Sequence, residues 1–178
     1  DDYDSEFRYK GKPIPALQGM DQTGSVVYMG TFSKAIAPAI RVGYMVLPES
    51  LLSVYRKKGR FYSSTVSRVD QRILANFISG GYFERHLNRM REIYKGKHDV
   101  LLGALKPLEK RFEIKGEYAG LHVLLTDRKG EAEQALLAKA EEKKVRVYGL
   151  SGFYMERAQA KEMSTIVLGY AGLTEEEI

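Results

Sequence analysis

The residues best equipped for chemistry stand close together in Tyr28-Met-Gly-Thr-Phe-Ser-Lys34, with Arg41 seven positions further on. A glycine ends an apolar run, two hydroxyls flank an aromatic, and a lysine follows. Thr31 and Ser33 can donate hydrogen bonds, and the Arg41 guanidinium is a fixed cation with the planar fork that phosphate oxygens accept. An amine held near other cations and partly out of water shifts toward its neutral, nucleophilic form, which Schiff-base chemistry requires. Lysines in turns are ordinarily surface residues; the neighbouring hydroxyls and Arg41 set this one apart. A second group lies earlier, Asp1 with Tyr3. A carboxylate facing a pyridine nitrogen keeps it protonated, so that the ring withdraws electrons, and a phenol can hydrogen-bond a ring hydroxyl. An acid, a phenol, a lysine and an arginine in this order form the protein side of a pyridoxal phosphate site. The expected catalytic residue is Lys34. The expected cofactor-binding residues are Asp1, Tyr3, Thr31, Ser33, Lys34 and Arg41.

Holding such a set requires strands and helices in alternation, and the chain reads as α/β. Apolar runs predict strands at Ser25–Met29 and Arg41–Leu47, the second closed by Pro48. Pro48 opens a helix to Arg56 in the position proline favours. Helical spacing of Val66, Ile73, Leu74, Phe77 and Ile78 predicts a helix over 67–79. Gly80-Gly81 interrupts it, and a longer helix runs over 82–105, stopped by Pro107. Strands at 112–115, 121–126, 145–148 and 166–170 then enclose a helix at 131–143. The expected boundary lies near residue 90: 1–90 is the later part of a larger domain, and 91–178 is a small α+β domain. Thr174 with Glu177 has capping-box spacing, with Glu175 and Glu176 at the positive helix end, and reads as a capped helix that the chain cuts short.

Composition narrows the function classes. At 178 residues the chain is one domain, or a domain plus a small satellite, large enough to bury a core unaided. With no cysteine it has no disulfide scaffold, thiolate zinc site or cysteine nucleophile. No apolar run reaches the roughly 18–20 residues of a membrane span, so a cytoplasmic protein is expected. The formal charge of +5 is spread along the chain. Its sharpest cluster, Arg56-Lys57-Lys58-Gly59-Arg60, reads as a solvated face, since no base-reading motif accompanies it. His86 and His98 are expected exposed on the long helix and His122 is expected to be structural; the three are too scattered for a metal signature. No GxGxxG, Walker A or GxSxG sequence is present.

The runs Asp1-Asp-Tyr-Asp-Ser-Glu-Phe-Arg-Tyr9, Ile14-Pro-Ala-Leu17, Tyr28–Lys34 and Arg41-Val-Gly-Tyr-Met-Val-Leu-Pro48 closely resemble the aminotransferase-like domain of MocR-type regulators in the GntR superfamily. So do Phe77–His86, Ala119-Gly-Leu-His122 and Leu168–Leu173, so the resemblance spans essentially the whole chain. It implies the C-terminal part of a fold-type I aminotransferase-like domain, with a partial large-domain sheet and helices plus a small α+β domain. It implies pyridoxal phosphate, with Lys34 as its covalent partner, Asp1 at the pyridine nitrogen, Tyr3 at the ring hydroxyl, and Arg41 with Thr31 or Ser33 at the phosphate. It further implies a small-molecule effector such as an amino acid or a B6 vitamer, a homodimer, and DNA contact through a winged-helix domain that would precede residue 1. The phosphate-cradling loop and the ring-stacking aromatic would precede residue 1 too, so these 178 residues alone are expected to hold the cofactor weakly. Amino-acid-sensing relatives carry a carboxylate-anchoring arginine in the segment matching Gly149–Phe153. The aligned position here is Gly152, with Arg157 nearby in sequence. Ser63, Ser64 and Thr65 read as ordinary loop residues, the alternative being that in a fold-type I dimer they reach a neighbouring subunit's phosphate. The alternative to a regulator is a genuine aminotransferase acting on an amino acid and a keto acid.

Overall fold

A computed structural model describes residues 5–155 and 163–178. Asp1, Tyr3 and Arg157 lie outside the described residues. Contacts divide the chain into two compact units, Asp1–Glu6 with Gly11–Arg91 and Phe7–Lys10 with Glu92–Ile178.

The first unit opens with a short helix, α1 (Leu17–Met20), and a turn built on Asp21. The Asp21 carboxylate accepts from the Thr23 hydroxyl at 2.7 Å and from the backbone N–H groups of Thr23, Ser25 and Val26 at 2.7–2.8 Å. The Thr23 hydroxyl and these amides hold the carboxyl far below the usual carboxylate range. The turn occupies Ser25 and Val26, so β1 starts only at Tyr28 and runs to Thr31, later than the apolar run predicts. It pairs antiparallel with β2 (Gly43–Val46), Tyr28 opposite Val46 and Thr31 opposite Gly43. Between them lies α2 (Phe32–Ala35).

Helix α3 (Glu49–Lys58) follows Pro48, with Glu49 in its first turn and Arg56, Lys57 and Lys58 in its last, the charge order that the helix dipole favours. Ser67 caps α4 (Arg68–Ser79) by accepting from Val69 N–H at 3.1 Å. The buried apolar residues of this unit include Ala35, Leu74 and Leu87, with Phe32, Phe77 and Phe83 in edge-to-face contact nearby. All four β2 residues are exposed.

Helix α5 (Tyr82–Leu105) carries the chain from the first unit into the second. The second unit is an antiparallel four-stranded sheet ordered β3-β4-β6-β5: β3 (Phe112–Lys115), β4 (His122–Asp127), β5 (Tyr148–Gly149) and β6 (Thr165–Gly169). Alternation along β4 buries Val123, Leu125 and Asp127. Val123, Leu125 and Ile166 pack with Leu101 and Leu105 of α5, Leu136 of α6 (Glu133–Glu142) and Tyr170. Each such burial stabilises the fold by about 1.5–3 kcal/mol.

Strand β5 is shorter and later than expected because α6 ends in a left-handed cap. Lys144 has φ 60°, its N–H donates to Glu141 O at 2.8 Å, and Val145 N–H reaches Ala140 O at 2.9 Å. Val145 therefore belongs to the cap and not to the sheet. The Thr174–Glu177 capping box forms reciprocally, with Thr174 N–H donating to Glu177 Oε2 at 2.8 Å and Glu177 N–H to Thr174 Oγ1 at 3.3 Å. Residues 175–177 form a turn.

His98 corrects the expectation of exposure: it is buried, because Tyr9 and Tyr170 pack over its ring at centroid distances of 5.1 and 5.9 Å. His122, expected to be structural, lies exposed at the start of β4.

Candidate functional site

The site lies in the first unit, where β1 gives way to α2. Gly30 lets the Tyr44 ring pack closely there. A Cβ at that position would lie 2.6 Å from atoms of the Tyr44 ring, which faces it from β2. Tyr44 also meets Phe32 at 5.3 Å and Tyr28 at 6.1 Å, so an aromatic group fixes where β1 ends. Thr31 then caps α2 by accepting from Ser33 N–H at 3.2 Å, while its own hydroxyl donates to Val42 O at 3.3 Å. Phe32 N–H reaches the same Val42 oxygen at 3.0 Å.

Two further bonds shut the loop between α2 and β2. The Ser33 hydroxyl donates to Ile40 O at 2.6 Å, and Arg41 Nη1 donates to Ser33 Oγ at 3.3 Å. The structure thus brings Thr31, Ser33, Lys34 and Arg41 onto one short closed loop. Lys34 follows Ser33 directly on α2 and is exposed, as is Arg41.

Arg41 also lines a cleft of about 480 Å³ with Val42, Thr65, Val66, Ser67 and Asp70. Thr65 thus shares a cleft with Arg41, while its neighbours Ser63 and Ser64 do not line it. Sequence reasoning missed Ser67 and Asp70. The available signal was the helix cap at Ser67, which puts the start of α4 beside the loop.

The donor set suits a molecule carrying both an anionic group and a carbonyl carbon. The Arg41 guanidinium matches the first and the Lys34 amine the second, while the Thr31 and Ser33 hydroxyls donate to Val42 O and Ile40 O. Among the described residues no group of three histidine, cysteine, aspartate or glutamate side chains could hold a metal ion. No described helix is long and apolar enough to cross a membrane.

In the second unit, Gly152 lies in the 3₁₀ turn Leu150–Phe153, where a Cβ would meet nothing within 4 Å. Its neighbour Ser151 is held by the buried Glu133 carboxylate, which accepts from Ser151 N–H at 2.9 Å and from the Ser151 hydroxyl.

Residues 4–178 match the family model for aminotransferase class I and II. Over its whole length the chain is 42% identical to the uncharacterized HTH-type transcriptional regulator YdeL of Bacillus subtilis strain 168, covering 38% of that protein. It is 34% identical over 97% of its length to the probable rhizopine catabolism regulatory protein MocR of Rhizobium meliloti, covering 35% of it. Among solved structures it is similar to LysN, an α-aminoadipate aminotransferase of Thermus thermophilus complexed with N-(5'-phosphopyridoxyl)-L-leucine. That match has a TM-score of 0.79 and 26% identity over 99% of this chain and 45% of LysN. The fold is therefore part of a fold-type I aminotransferase domain, and the chain spans less than two fifths of the two regulators' length.

Proposed function

We propose a function from one premise: the chain belongs to the aminotransferase class I and II family. On our reading it is the effector- and cofactor-binding part of a MocR-type transcriptional regulator of the GntR superfamily. The observation that carries this reading is the likeness of the entire chain to an HTH-type regulator at 42% identity. In this reading residues 1–90 are the later part of the large domain and 91–178 the small one. DNA is contacted through a winged-helix domain outside these residues, the protein works as a cytoplasmic homodimer, and its effector is an amino acid or a B6 vitamer.

The cofactor is pyridoxal phosphate, in keeping with the family and with the phosphopyridoxyl ligand of LysN. When bound it supplies an electron-withdrawing ring and a reactive carbonyl carbon. The residues of the chain divide the remaining work. Arg41, held by Ser33, would present its remaining guanidinium N–H groups to the phosphate, while Thr31 and Ser33, whose hydroxyl protons go to Val42 O and Ile40 O, would shape the loop around it. Lys34 offers its amine to the carbonyl carbon. Asp1 would keep the pyridine nitrogen protonated, and Tyr3 would donate to the ring oxygen. Effector binding biases the arrangement of the two domains only as far as its affinity differs between arrangements.

A second reading, an aminotransferase acting on an amino acid and a keto acid, is favoured by the likeness to LysN. There Lys34 would also carry a proton to and from the substrate Cα.

Borohydride reduction of the full-length protein after incubation with pyridoxal phosphate, followed by peptide mass spectrometry, tests the shared core of both readings. The pyridoxyl mass is expected on Lys34 and absent from Lys34→Ala. Label spread over surface lysines with none enriched at Lys34 would sink both. Sustained turnover of an amino acid with a keto acid would favour the enzyme.

A further inference from the structure

Phe32 opens α2 between the two hydroxyls of the site, and its ring reaches two other elements of the first unit. It lies 5.3 Å from the Tyr44 ring of β2 and 6.0 Å from the Phe83 ring of α5, the second contact being edge to face. Phe83 in turn meets Phe77 of α4 edge to face at 6.3 Å. Ala35, three positions after Phe32 and so on the same side of the turn, is buried, while Lys34 is exposed. The hydrogen bonds of Thr31, Ser33 and Arg41 run to Ile40, Val42 and one another, so they close the loop upon itself. They give it a shape. The Phe32 ring gives that shape a place against the helices.

We propose that Phe83 is a positioning residue for the Lys34 amine, acting through the Phe32 ring; this rests on the reading of Lys34 as the covalent lysine. A helix of four residues does not hold its own geometry, because nucleation fixes several backbone angles for a single bond. The bond from Ile36 N–H to Phe32 O, at 2.9 Å, spans the whole turn. The direction of α2 therefore comes from what its side chains pack against. Lys34 is two residues from Phe32 on this one turn, so any rotation of the turn about its anchor carries the base of the lysine with it. An edge-to-face pair has a preferred geometry that an aliphatic contact of similar size lacks. The ring at position 83 thus sets an angle as well as filling volume.

Two readouts on the full-length protein test this. Hydrogen–deuterium exchange of the peptide over residues 31–36, without cofactor, reports the order of the turn. The initial rate of borohydride-fixed pyridoxyl incorporation at Lys34, relative to the other lysines, reports the placement of the amine. Phe83→Leu is expected to speed the exchange and slow the relative incorporation, each about fivefold. Phe83→Tyr keeps the ring edge and is expected to restore both to the parent values. Phe77→Leu makes the same change at another half-buried ring that does not touch Phe32 directly, and is expected to leave both within about twofold of the parent. The proposal is overturned if Phe83→Leu leaves either readout at the parent value, or if Phe77→Leu moves both as far. Where Phe83→Leu does not fold, Phe32→Leu breaks the same contact from the loop side and is read in the same way. Absence of label from Lys34 in the parent overturns the reading of the lysine and this role with it, and is told apart because it needs no variant.

Discussion

Arg41 Nη1 and Ser33 Oγ lie 3.3 Å apart, and the same Ser33 hydroxyl donates to Ile40 O at 2.6 Å. A serine that spends its proton on the backbone and its lone pair on a guanidinium is a spacer: it holds the Arg41 cation to the residue that precedes Lys34 in the chain. On the proposed reading this spacing decides phosphate affinity. Arg41→Lys, which keeps the charge but loses the fork, is expected to weaken pyridoxal phosphate binding about tenfold. Ser33→Ala is expected to weaken it by a smaller factor, because the backbone bonds to Val42 still close the loop. Absorbance titration of each variant reads both values. Equal affinity in Arg41→Lys and the parent would remove Arg41 from the phosphate.

The second unit is expected to lose stability in acid through Asp127. Burial pushes this carboxyl up, but Glu131 N–H at 2.9 Å and Arg111 Nε at 3.0 Å outweigh it and hold the group below the ordinary aspartate value. A depressed folded value means stability that is complete above the unfolded value, about 3.9, and lost as pH falls through the lower folded one. Arg111→Met strands the buried carboxylate with its amide partner and is expected to cost about 1–3 kcal/mol at neutral pH. Urea midpoints taken from pH 7 downward should show that deficit shrinking once the medium is more acidic than about pH 4. A deficit independent of pH would assign the loss to packing of the Arg111 stem.

Much of this is legible from residue types, and the exceptions have local causes. The bounds of α5 follow from Gly81 before it and Pro107 after it, and those of β3 from its short apolar run. The loop motif Thr31-Phe-Ser-Lys34 is legible as a hydroxyl and amine cluster. Its closure is not, since the acceptors that bring Arg41 back to Ser33 are the carbonyls of Ile40 and Val42, and backbone carbonyls leave no mark in a sequence. Strand β1 starts later than its apolar run suggests because Asp21 captures the amides of Ser25 and Val26. His98 reads as exposed because Tyr9 and Tyr170, the residues that cover it, are remote in the chain.

Gly149 and Gly152 should respond unequally to the same substitution. A Cβ on Gly149 would collide with Glu133 Oε1, so Gly149→Ala must displace a buried carboxylate that holds Ser151. The expected cost is about 1–3 kcal/mol. A Cβ on Gly152 meets nothing within 4 Å, and Gly152→Ala is expected to change stability by less than about 0.5 kcal/mol. Thermal or urea unfolding of the pair reads the contrast. Equal effects would mean that Glu133 moves aside at little cost.

Lys144 offers the complementary test, a substitution that should stabilise. It stands at φ 60° after α6, where its Cβ crowds the backbone, and both bonds of the cap are made by main-chain N–H groups at Lys144 and Val145. The lysine side chain is exposed and supplies neither bond. Lys144→Gly therefore relieves the strain and keeps the cap. Against it stands the extra freedom that glycine gives the unfolded chain, which recovers part of the gain. The net expectation is stabilisation by about 0.5–1 kcal/mol, read as a higher urea midpoint with an unchanged slope. Lys144→Ala separates backbone strain from side-chain effects, because alanine removes the amine and keeps the Cβ. It is expected to leave the midpoint where lysine puts it. A midpoint raised equally by alanine and glycine would place the cost in the lysine side chain and not in its left-handed backbone.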